Sequence, residues 1–211
     1  MHIAEGILSP AVLGAGALLA AAGTAAGLRR TGHDRLMLMG TLSAAFFVAS
    51  LIHVPIGAGS AHLLGNGLLG VFLGWGCFPA ILVALLLQAL LFQFGGLTTL
   101  GVNTCSMAFG GVLASYCFQC LTRLSTGKAA RSASAFLCGA LGVAFAALIA
   151  ALALSSTNEG FRAPAMALLA AHLPVMLAEG AITMFATGFI ARVRPEMLRM
   201  SAPSADQGGK A

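Results

Sequence analysis

The chain has 211 residues, of which 59% are hydrophobic and only 8% charged, and its mean hydropathy is +0.95. Soluble domains carry about 25% charged residues, so this composition excludes a water-soluble globule and points to a chain that lives in lipid. A net charge of +5 would suggest a nucleic-acid partner for a soluble protein. Here the basic residues sit in short connections between apolar runs, where membrane topology explains them and no nucleic acid is expected.

The N-terminal stretch Met1-His2-Ile3-Ala4-Glu5-Gly6 lacks the basic region of a signal peptide, so no cleavage is expected there. The first apolar run, Pro10–Leu28, ends at Arg29-Arg30, and the second covers Leu36–His53. A loop containing Pro55 leads to a short third run, His62–Gly74, and then a fourth, Pro79–Phe94. The polar, glycine-rich stretch Gly95–Asn103 separates these from a fifth run, Thr104–Leu121, a sixth, Ala133–Leu154, and a seventh, Pro164–Ala191.

A helix needs about 20 apolar residues to cross about 30 Å of hydrocarbon. Backbone groups in that layer must pair within their own segment, which favours helices, and no alternating strands of a membrane barrel are visible. The expected fold is therefore an all-α polytopic bundle of about seven transmembrane helices. Residues 1–200 form one domain, and 201–211 read as a disordered cytoplasmic tail rich in small and polar residues. Seven crossings place Arg29, Arg30 and Arg35, then Arg123, Lys128 and Arg131, then Arg192, Arg194 and Arg199 on one side, with Arg162 on the other. The positive-inside bias puts the N-terminus outside and the C-terminus in the cytoplasm. No long internal repeat is evident. Along the first helix two rows of small residues, Gly16/Ala20/Thr24 and Ala17/Ala21/Ala25, suit close packing in lipid, within the bundle or against another membrane subunit. The five cysteines read as small buried hydrophobes, with Cys117-x-x-Cys120 as a packing pair.

Met1-His2 is the most informative pair. A large second residue should block removal of the initiator methionine. The free α-amine, the His2 amide nitrogen and His2 Nδ1 can then close two fused chelate rings around one metal. Such planar nitrogen sets suit Ni²⁺ or Cu²⁺ and can hold Co²⁺. The plainer alternative is a frayed terminus. His62, expected to open the third helix on the same side, could complete a four-nitrogen plane, or simply cap that helix. His53 and Ser60 lie nearby as supporting groups. Gly95–Asn103 could fold over the site as a lid, with Thr98 or Asn103 as hydrogen-bond partners. Gln88 is a polar group inside an apolar helix and needs an interhelical partner. His172, Met176, Glu179 and Thr183 share one face of the last helix. Ionisable groups there should face the bundle interior. Glu179 could orient a histidine, act as a transit ligand, or bond a neighbouring helix.

Four stretches together resemble one family: Met1–Gly6, Pro55–Gly70 around His62, Gln88–Asn103, and His172-Leu-Pro through Glu179-Gly-Ala-Ile-Thr183. The chain resembles the substrate-binding (S) components of energy-coupling-factor transporters for cobalt and nickel, the CbiM/NikM family. The resemblance implies a seven-helix S component that holds Co²⁺ or Ni²⁺ as its transported substrate. The ligands would be the Met1 amine, the His2 amide and imidazole nitrogens, and His62. It also implies a transmembrane coupling subunit, two cytoplasmic ATPases and, in some members, a small accessory membrane protein. The setting would be the bacterial inner membrane. Ala4 departs from the Pro or Met that the family carries there, without touching a donor atom. The alternative function is a stand-alone proton-coupled metal transporter or channel using His172 and Glu179 as a relay. An intramembrane hydrolase finds no Gly-x-Ser-x-Gly pattern or paired carboxylates here, and no phosphate loop for ATP is present.

Overall fold

In the computed structural model, residues 2–51, 53–56, 59–124 and 127–199 are described. The chain forms α1 (Pro10–Arg30), a 3-10 turn at His33–Arg35, α2 (Leu36–Ala49), strands β1 (His53–Ile56) and β2 (Gly59–His62), and α3 (Asn66–Leu73). A second 3-10 turn, Gly74–Gly76, leads to α4 (Cys77–Phe92), α5 (Leu100–Leu124) and α6 (Lys128–Thr157). A third, Glu159–Phe161, precedes α7 (Arg162–Val193) and the short α8 (Pro195–Arg199). Five helical stretches are long and apolar enough to cross a bilayer: Pro10–Arg30, Asn66–Phe92, Leu100–Leu124, Lys128–Thr157 and Glu159–Val193. The helical bundle expected from composition is the fold. The segments of the long tail expectation, 201–211, lie outside the described residues.

Three boundaries differ from the sequence reading. The second run was expected to stay helical to His53, but α2 stops at Ala49 and His53 begins β1. Pro55 cannot donate a backbone hydrogen bond, and it disfavours helix in the residue before it. The chain instead folds into an antiparallel hairpin that sets His53 opposite His62. His62 therefore ends β2 rather than opening a helix, and α3 starts at Asn66 after Gly65, whose φ of 59° is left-handed. Finally, α5 begins at Leu100, so Asn103 lies in the first turn of a helix and not in the preceding loop.

Glycine governs how closely the helices approach. On α1 the buried residues are Gly16, Ala20, Gly23 and Gly27. A Cβ on Gly16 would lie 2.3 Å from the Val102 side chain, and one on Gly23 would lie 2.3 Å from the Phe78 ring. The row Ala17/Ala21/Ala25 faces outward instead. The short α3 is wedged against α5 and α6. A Cβ on Gly70 would sit 2.1 Å from the Gly111 carbonyl oxygen, and one on Gly67 would sit 2.6 Å from Gly139 Cα. Close backbone approach of this kind is how helices associate where hydrophobic collapse supplies no driving force.

These contacts also order the bundle along its axis. Trp75, at the turn after α3, lies under the Arg30 guanidinium 4.6 Å away, at the C-terminal end of α1. At the other end, the Ser9 amide donates to Thr157 Oγ1 (3.3 Å), joining the start of α1 to the end of α6. Large apolar side chains such as Leu18, Leu90, Leu91, Phe185 and Phe189 are exposed around the outside, as lipid contact requires.

Candidate functional site

The N-terminal segment folds back into the bundle, and Asn103 is the residue that holds it. Its Oδ1 accepts from the Ile3 amide (2.9 Å), and its Nδ2 donates to the Ile3 carbonyl (3.1 Å) and to Thr99 Oγ1 (3.2 Å). One carboxamide thus satisfies both polar groups of a backbone residue that is 1% exposed, in the way a neighbouring strand would. A second tie lies outside it. Glu5 Oε1 accepts from the Thr98 amide (3.1 Å) and hydroxyl (3.2 Å).

The loop before α5 closes over this segment through Gly95 and Gly96. Their φ values of 76° and 132° are in the region that favours glycine. A Cβ at Gly95 would meet Asn103 Nδ2 at 2.9 Å and His2 Nδ1 at 3.5 Å, and one at Gly96 would fall on the Glu5 side chain. Any larger residue here would displace the groups that the loop covers.

With Ile3 fixed, His2 is buried against His62. The ring centroids are 4.8 Å apart with a 30° interplanar angle, and Phe94 lies beside His2 at 6.3 Å. His62 Nδ1 sits 2.8 Å from the Leu63 carbonyl oxygen. A carbonyl only accepts, so in the neutral ring Nδ1 carries the proton and Nε2 the lone pair. Burial pushes the His62 imidazole down to about 4, with a smaller push from His172 and against the pull of the Leu63 carbonyl. The ring is thus neutral near pH 7, the form that can ligate a cation.

Glu179 supports His62 from α7. Its Oε1 accepts from the backbone amides of Leu64 and of Gly65, the latter at 2.8 Å. These amides lie at the N-terminal end of α3, which begins inside the bundle and has no side-chain cap. A carboxylate there satisfies otherwise orphaned donors and complements the helix dipole. His172 is fully buried on the same face, its Nδ1 directed at Leu168 O (2.8 Å). Gln88 finds the interhelical partners its position demands, donating to Ser50 Oγ and to Phe47 O (3.2 Å).

The structure thus brings together His2, His62 and Asn103, with Glu179 and His172 behind His62. Gln88 binds α4 to the end of α2. Met1 and the side chains of His53 and Ser60 lie outside the described residues. Among the described residues, no three His, Cys, Asp or Glu side chains converge. The sequence reading missed two contributors. Glu5 is one, and the polar Thr98-Thr99 pair is the sequence signal for its partner. Asn66 is fully buried and donates to Gly142 O (2.8 Å). A lone amide in an apolar run was its only signal.

Fold and site together define a multi-pass helical membrane protein whose folded-back N-terminal segment sets two buried imidazoles face to face. The profile of the CbiM family, described as the substrate-specific transmembrane region of cobalt uptake, matches residues 2–197, and the chain belongs to that family. It is 41% identical to a Haemophilus influenzae protein provisionally named a metal transport protein, over 94% of this chain and 97% of that one. It is 36% identical to the cobalt transport protein CbiM of Sorangium cellulosum, over 94% of each. A crystal structure of a transition metal transporter superposes with a TM-score of 0.82 at 27% identity, covering 95% of this chain and 98% of the other.

Proposed function

We propose that this protein is the metal-capturing subunit of an ATP-driven energy-coupling importer of the bacterial inner membrane, taking Co²⁺ or Ni²⁺ at its outer face. The observation that carries the reading is the stacked, buried His2–His62 pair, held in place by Asn103 from one side and Glu179 from the other. In this reading the substrate ion is bound by His62 Nε2, the His2 imidazole and amide nitrogens, and the α-amine of Met1. A coupling subunit and two ATPases supply the energy, in some systems with a small accessory membrane protein. Four nitrogens around one ion favour Ni²⁺ over Co²⁺ by the general affinity order, and a competition titration with both ions decides between them.

Equilibrium titration of purified protein provides the test. His2→Ala should weaken metal binding by on the order of 100-fold or more, beyond the effect of disturbing a ligand's neighbour. A peptide extension at the N-terminus, which turns the amine into an amide, should do the same with His2 and His62 intact. Unchanged affinity in both variants would sink the reading. The rival, a proton-coupled transporter acting alone, requires metal uptake into liposomes without any ATPase. It also requires Glu179 to shuttle protons while that carboxylate holds the Leu64 and Gly65 amides.

A further inference from the structure

At the opposite end of the bundle from His2 and His62, between the start of α6 and the end of α7, lies a cavity of about 250 Å³. Lys128, Arg131 and Ser132 line it from α6, and Thr187, Gly188 and Arg192 from α7. No acidic side chain lines it. Among the described residues the ion pairs are Arg162–Glu159 and Arg194–Glu196, so none of the three cations around the cavity has an acidic partner among those residues. Thr187 is 1% exposed, and its hydroxyl has no hydrogen-bond partner among the described residues. The cavity also borders the N-terminus of a 30-residue helix whose N-cap, Gly127, offers no side-chain bond to the first amides. Three cations, a helix start without a side-chain cap and an unpartnered hydroxyl around one concavity are complementary to a phosphate.

The surroundings identify the source of that phosphate. Phe185 and Phe189 on α7 follow the lining residues Met184 and Gly188 in the chain and are 70% and 64% exposed, so outward-facing apolar surface of α7 adjoins the cavity lining and gives acyl chains a place to lie. Basic pockets between transmembrane helices are typical sites for anionic lipid headgroups. The volume is several times the roughly 30 Å³ taken by one liquid water, enough for a phosphodiester.

We propose that the cavity formed by Lys128, Arg131, Ser132, Thr187 and Arg192 is a binding site for the phosphodiester headgroup of an anionic phospholipid. It is independent of the metal reading, because it lies at the other end of the molecule and shares no residue with it. Gly188 gives the sharpest probe. A Cβ added there meets nothing within 4 Å, so Gly188→Leu fills the cavity without a backbone clash and leaves every cation in place.

The experiment is native mass spectrometry of detergent-purified protein with phosphatidylglycerol, phosphatidylcholine or inorganic phosphate added. We expect phosphatidylglycerol to be retained at least tenfold over phosphatidylcholine and not to be displaced by millimolar phosphate. Gly188→Leu and the Arg131→Gln/Arg192→Gln double variant should each remove that preference, while Arg123→Gln, outside the cavity, should keep it. Metal affinity measured on the same samples shows that each variant is folded. Equal retention of both lipids, displacement by free phosphate, or an unchanged preference in folded Gly188→Leu protein overturns the proposal.

Discussion

Asn103 shows how much of this molecule depends on single polar groups. Its carboxamide is the sole described partner of both polar atoms of Ile3, next in the chain to His2. Asn103→Leu keeps the volume and removes the bonds. Each buried backbone group left unpaired costs about 1–3 kcal/mol, so the N-terminal segment should detach before the bundle unfolds. Hydrogen exchange should show faster exchange at Ile3 while α5 and α6 stay protected, and metal affinity should fall by about tenfold or more. Glu179 makes the matching case at the other imidazole. Glu179→Gln keeps an acceptor oxygen for the Leu64 and Gly65 amides and should lower the melting temperature little. Glu179→Ala leaves both amides unpaired and should cost about 2–5 kcal/mol, read as a lower melting temperature in detergent together with weaker metal binding. If Gln and Ala behave alike, the carboxylate has another role.

Among the elements, α3 is the one whose length does not follow from hydropathy. Eight residues span about 12 Å, less than half of a bilayer, and the helix starts within the protein, where Glu179 meets its first amides. It stays there because Gly67 and Gly70 let its backbone touch α6 and α5. Gly70→Val would drive a branched side chain into the Gly111 carbonyl. The expected destabilisation is about 1–3 kcal/mol. Metal binding should weaken as well, because α3 carries Leu64 and Gly65 at its leading end. A thermal shift with no change in metal affinity would separate α3 from the site. The glycine-and-alanine face of α1 was legible as two rows, but which row faced inward was not. Gly16 and Ala20 are buried, Gly16 against Val102 of α5, whereas Ala17, Ala21 and Ala25 remain outside. Burial is decided by what the neighbouring helices present, and both rows are equally small.

For the whole molecule, the exposed row on α1 offers a flat surface on which a second membrane subunit can pack closely. If the proposed ATP-driven assembly docks on this row, Ala21→Leu should leave folding and metal binding as they are while lowering uptake in vesicles that contain the proposed coupling subunit and ATPases. Unimpaired uptake would move the docking surface elsewhere. Composition alone determined that this chain is a membrane-embedded helical bundle, because apolar runs of bilayer length leave the backbone no other way to pair. The sequence also singled out His2 and His62 as candidates, and the structure brings these two rings together. Only the tertiary structure decided that Pro55 turns the end of the second run into a hairpin, that His2 stacks on His62, and that Asn103 and Glu179 hold them there. The hairpin pairs residues at most nine positions apart, whereas the stacking and its two supports join residues 60 to 115 positions apart. A periodic pattern reports which face of one segment is apolar, and it carries no information about which distant amide that face will meet.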